Sequence, residues 1–154
     1  MTGDASRVLA GRSSLGAIPC PRMTDSRDLI EPVRAFLSAP HCAVLSTLGA
    51  DGEPRQIVTH YLLDQDHLRI NGHRDRRWVA NLRRDSRVSA IVHDPLNYLH
   101  YVSIRGTATL LDNGVTAVAE AMSQAERYGE DPAAFADQPR VSFRIEVQRL
   151  SEYR

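Results

Sequence analysis

The sequence predicts a mainly β protein, with six antiparallel strands forming a barrel and three flanking helices. Short apolar or alternating stretches recur along the chain, tight-turn residues separate the first three, and only three stretches carry helical spacing. With so few helices to cover a sheet, closure into a barrel is the arrangement that removes exposed strand edges.

Taken in order, residues 1–25 mix Gly, Ser, Pro, Asp and Arg without periodicity and read as a mobile tail. Within them, Met23 opens MTDSRDL, which looks like a natural protein beginning. One domain is expected over 26–154. Ser26 is a candidate helix cap; Leu29, Ile30, Val33, Phe36 and Leu37 follow at helical spacing, and Pro40 stops the helix. Strands are expected at 42–48, 55–63 and 67–71, joined in a meander by turns at Asp51-Gly52 and at Asp64, Gln65 and Asp66. Asp75 is the expected N-cap of a short helix that groups Trp78, Val79 and Leu82 on one face. Two strands follow at 86–94 and 101–111, the second kinked at Gly106. Residues 112–135 read as helical, capped by Asp112 or Asn113, with Val115, Val118, Ala119 and Met122 as the stripe that covers the barrel. Alternation over 141–153 marks a closing strand.

Composition narrows the function. The 154 residues carry 19 basic and 19 acidic side chains, so the chain lacks the cationic surplus that nucleic-acid binding draws on. Every basic residue is Arg, a pattern that GC-rich coding produces. No run approaches the roughly 18 apolar residues of a membrane span, and the first 20 residues lack the apolar core of a signal peptide. A cytoplasmic protein is expected. Cys20 and Cys42 form no CxxC pair, and no histidines have zinc-site spacing.

The strongest local signal is charge. Residues 69–87 hold seven arginines against two aspartates. Within them, GHRDRRW (72–78) follows a strand end and opens a helix. Cations at a helix N-terminus are unfavourable unless an anion is bound there, and Arg offers bidentate donors to phosphate oxygens. Arg74, Arg76 and Arg77 thus read as a phosphate cradle, with Asp75 as a competitor for the same amide donors. The other reading is a solvated face paired with carboxylates elsewhere. His60 and His73 lie near the cradle as candidate acids or as structural groups. Tyr98, His100 and Tyr101 could line a substrate mouth or cap the barrel.

Three segments, AVLSTLGADGEPR, NLRRDSRVSAIVHDP and YVSIRGTATLL after NYLH, resemble the pyridoxamine 5'-phosphate oxidase-like split-barrel superfamily, in particular its branch that uses coenzyme F420. The resemblance spans residues 42–111. It implies a homodimer with a cofactor at the subunit interface. Gln56, Ile57, Val58, Thr59 and His60 would lie against the cofactor ring, the strand's backbone amides bonding the ring edge. Asn71, Gly72, Arg74, Arg76 and Arg77 would hold the phosphate. Many members carry Lys after the Arg, where this chain has Trp78. That side chain is either core or a cover for the cofactor. The function implied is hydride transfer between reduced F420 and a small organic substrate. An FMN-dependent oxidase or reductase on the same barrel, or a cofactor-binding protein without catalysis, are the alternatives.

Overall fold

The turn chemistry and apolar alternation seen in the sequence organise most of the strands in the computed structural model, which describes residues 29–154. The expected tail, the Ser26 cap and Cys20 lie outside these residues. In chain order the elements are α1 (Glu31–Ser38), β1 (Ala43–Leu48), β2 (Pro54–Thr59), β3 (Leu62–Asp64), β4 (His67–His73), α2 (Arg77–Arg84), β5 (Arg87–Asp94), β6 (Asn97–Asp112), α3 (Val115–Arg127), a 3₁₀ turn (Pro132–Phe135) and β7 (Arg140–Tyr153). Helix α1 starts later than its apolar spacing suggests: Pro32 sits in its first turn, and Ile30 is an exposed cap residue. Its buried face is Val33, Phe36 and Leu37.

The strands form one seven-stranded antiparallel sheet in the order β2-β1-β5-β6-β7-β4-β3. The sheet is barrel-like but not closed by hydrogen bonds, which corrects the six-stranded closed barrel. The seventh strand arises because the expected strand 55–63 breaks at His60 and Tyr61. Its first part, β2, pairs with β1, while its last part, β3, pairs with β4 at the opposite sheet edge. Tyr61 explains the break. Its ring is fully buried and its hydroxyl donates to the Leu37 carbonyl at 2.9 Å, which draws the chain off the ladder. The simple meander is therefore replaced: β4 pairs with β3 and β7 and not with β2.

Leu45, Leu68, Ile70, Val92, Val102, Ile104, Phe143 and Ile145 form the centre of one core. Strand β6 is longer than its apolar run, because NYLH already belongs to it. At Gly106 the β6–β7 register shifts, and a Cβ there would lie 2.0 Å from the Glu146 carbonyl oxygen. Glycine thus permits the close strand approach at the kink.

The helical stretch after β6 is corrected in two ways. It divides into α3 and the 3₁₀ turn, and α3 buries Ala117, Glu120, Ala121, Gln124 and Ala125, while Val115 is 87% exposed and Ala119 faces outward. Alanines let the helix approach β4 and β7 closely, and the acid finds a partner: Glu120 is ion-paired with Arg69 of β4. The Asp112 carboxylate accepts from the Ala117 amide at 2.8 Å and from Gly114 at 3.3 Å, which holds its pKa below the usual range. Among the described residues no helix is long and apolar enough to cross a membrane.

Candidate functional site

As an edge strand, β2 hydrogen-bonds to β1 on one side and leaves its other backbone edge unpaired by any strand of the described residues. That edge faces a groove of two adjoining volumes, about 390 and 280 Å³, the larger within the small-molecule range. Val58, Thr59, Asn71, Arg76 and Arg140 line both. Gln124 of α3, Phe135 and Glu130 complete the larger volume; Ile57, Gly72, His73 and Trp78 complete the smaller.

Asn71 ties the walls together. It is buried, and its Nδ2 donates to the Ala117 carbonyl (2.7 Å) and to Ser142 Oγ (2.9 Å). Its Oδ1 accepts from Arg140 Nε at 2.8 Å. A second Arg140 nitrogen donates to Gln138 Oε1 at 3.0 Å, and the guanidinium lies 5.2 Å from the Phe135 ring centroid. Burial, then the charge of Arg76, lowers the Arg140 pKa. The guanidinium remains a cation at any ordinary pH.

At the other wall, α2 begins at Arg77 with Arg76 as its cap residue. This replaces the expected Asp75 cap. Asp75 turns away: its backbone N–H donates to His73 Nδ1 at 3.3 Å, its carboxylate lies 3.7 Å from the same nitrogen, and its side chain is 78% exposed. No side chain caps the helix and no acidic residue occupies its first turn, so the anticipated competition for the amide donors is absent. The Arg74 amide donates to the Pro139 carbonyl at 2.8 Å and joins the cradle loop to the start of β7.

Trp78 is 7% exposed and packs against Phe143 with ring centroids 6.0 Å apart. Its indole lies over Gly72, where a Cβ would come within 2.1 Å of Cζ2. Trp78 is therefore a core residue that also contributes to the groove lining.

His60 is stacked on Tyr128, with centroids 3.8 Å apart and planes within 9°, and its Nε2 lies 3.8 Å from Glu130 Oε1. The Tyr128 hydroxyl donates to His41 O (2.8 Å) and accepts from the Tyr61 amide (3.3 Å). Burial raises the Tyr128 pKa, so the phenol stays protonated near neutrality. Tyr128→Phe keeps the stack and removes the latch across the β2–β3 break. It is expected to lower stability by about 1–3 kcal/mol in urea unfolding; an unchanged midpoint would dismiss the latch.

The groove brings together Ile57, Val58, Thr59, His60, Asn71, Gly72, Arg76 and Trp78 of the sequence candidates. Gln56, Arg74 and Arg77 do not line it; all three are exposed, and Gln56 donates to Ser46 Oγ at 3.2 Å. Sequence reasoning missed Arg140, Gln124, Phe135 and Tyr128. Arg140 stands at the polar position just ahead of the alternating run of β7, a weak signal without knowledge that β7 pairs with β4.

A barrel-like antiparallel sheet with an open cationic groove along its β2 edge is the architecture of a split-barrel protein. The chain belongs to the pyridoxamine 5'-phosphate oxidase family, whose profile matches residues 29–154. Among curated proteins none matches. Of solved structures, one titled F420 Reductase is 25% identical, with a TM-score of 0.68 over 80% of this chain and 98% of that one. The conserved hypothetical protein Rv2991 of Mycobacterium tuberculosis is 24% identical, with a TM-score of 0.68 and coverage of 81% and 84%. The heme storage protein HutZ of Vibrio cholerae is 18% identical, with a TM-score of 0.64 and coverage of 81% and 95%. The last two show the fold alone.

Proposed function

We propose that the chain is an oxidoreductase that binds the deazaflavin coenzyme F420 and transfers a hydride between it and a small organic substrate. The observation that carries this reading is the open backbone edge of β2 beside Arg76, the residue at the uncapped start of α2, which has no carboxylate partner among the described residues. The first suits the hydrogen-bonding edge of a planar heterocycle, the second its phosphate. The 25% identity to an F420 reductase favours the deazaflavin. FMN is the second reading, favoured by the family to which the chain belongs.

The bound cofactor supplies the hydride chemistry, and the protein supplies orientation and exclusion of water. Backbone groups of Ile57, Val58 and Thr59 would hold the ring. Arg76 and the uncapped start of α2 would hold the phosphate, with Arg74 and Arg77 adding positive field from the surface. His60, with its Nε2 3.8 Å from Glu130 Oε1, would be a polar neighbour of the ring at the groove wall. The reading includes a homodimer, supported by the exposed Ile91, Leu96, Tyr98 and Leu99, and light scattering should give twice the chain mass.

Titration of the purified protein with F420 and with FMN, followed by fluorescence and absorbance, tests the assignment. Saturable binding of F420 in preference to FMN is expected. Preference for FMN selects the second reading. If neither binds below roughly 100 μM, or about −5.5 kcal/mol, both fail.

A further inference from the structure

The groove contains a cation that the helix-start cradle does not require. Arg140 comes from β7, and it enters both volumes of the groove alongside Arg76. It is fixed on three sides, by Asn71, Gln138 and the Phe135 ring. Asn71 is itself locked to α3 and β7, so the guanidinium is preorganised. All these supports are neutral. None of the ion pairs among the described residues involves Arg140 or Arg76, and the acid of the larger volume, Glu130, lies near His60.

Arg140 is half-buried, and the charge of the exposed Arg76 beside it is unfavourable to it. Holding Arg140 rigidly with neutral acceptors leaves its positive charge uncompensated. An oxyanion between them would offset both terms, and Arg's planar fork suits phosphate and carboxylate oxygens.

We infer that Arg140 and Arg76 form a two-arginine clamp for an oxyanion, a phosphate or carboxylate carried by the ligand, with Arg140 as a binding residue contributed by the closing strand. The clamp deepens the proposed function and rests on its location of the ligand in this groove. Two sources of the oxyanion are distinguishable: the cofactor's own phosphate, or an acidic group on the second ligand that shares the groove.

The test compares wild type with Arg140→Met and Arg140→Lys, each checked for a folded thermal transition. Three ligands are titrated: FMN or F420, whichever binds; the same chromophore without its phosphate; and inorganic phosphate, by calorimetry. If the cofactor's phosphate is the occupant, Arg140→Met weakens the phosphorylated cofactor at least tenfold. The dephosphorylated chromophore changes less than twofold, and Arg140→Lys falls between. If a second ligand supplies the oxyanion, both chromophores bind all three proteins alike. Inorganic phosphate then binds cofactor-loaded wild type and is lost in Arg140→Met.

Equal loss for both chromophores would make Arg140 a structural support and overturn the clamp. So would variants that match wild type for every ligand, phosphate included. If neither cofactor binds wild type, the functional reading fails while the phosphate titration still decides the clamp: binding lost in Arg140→Met keeps it, and no difference removes it.

Discussion

Arg69→Met is expected to lower unfolding free energy at pH 7 by about 3–5 kcal/mol, because it leaves the buried Glu120 carboxylate without its cation. Glu120 has a 5% exposed side chain at the inner face of α3, and Arg69 lies between it and Asp64, 3.5 Å from the latter. The pair is imperfectly solvated by the protein, since Glu120 Oε1 and Arg69 Nε are buried without partners. Burial accordingly raises the Glu120 pKa despite the opposing charge of Arg69. A carboxyl whose folded pKa lies above its unfolded value contributes fully below the unfolded value, and the contribution fades as pH rises through the folded one. Removing Arg69 widens that gap. The deficit of the variant should therefore be largest at neutral pH and shrink as pH falls toward the ordinary carboxyl range. Urea unfolding of both proteins across this range checks the claim, and a pH-independent deficit would count against it.

Gly72→Ala is the second large effect. Its methyl would enter the space of the Trp78 ring, and overpacking of this kind costs about 1–3 kcal/mol. The damage should spread beyond stability, because both residues line the groove beside Arg76. Pairing Gly72→Ala with Trp78→Leu returns space to the methyl, so the double variant should be more stable than the sum of the single losses predicts. Strict additivity, measured by denaturant unfolding, would mean that the two side chains do not compete for one volume.

Local chemistry made much of this fold legible. Asp51-Gly52 did mark the β1–β2 hairpin, and the runs at 86–94 and 141–153 did mark strands. What sequence could not display was long-range choice. His60 and Tyr61 continue the alternation of β2, yet burial of the Tyr61 ring beneath α1 ends the ladder. Apolar spacing pointed to Val115 and Met122 on α3, whereas close approach to β4 selected the alanines and an acid whose partner is 51 positions away. At the site, the glycine and the arginine ahead of α2 were readable from their position at a strand–helix junction. Arg140 was not, since its place in the groove depends on β7 lying beside β4.

Asn71 and Arg140, the two residues that join the groove's walls, stand 69 positions apart in the chain. The β1–β2 and β5–β6 hairpins can form with short loops, whereas β4 meets β7 only after a much larger loop closes, at greater entropic cost. Loop closure on that scale predicts that the groove is completed late in folding, after much of the sheet has paired. An occupant that bridges it acts on contacts absent from the earlier, hairpin-rich states. By that logic it should prolong the lifetime of the native chain by slowing unfolding, while leaving the rate of refolding nearly unchanged.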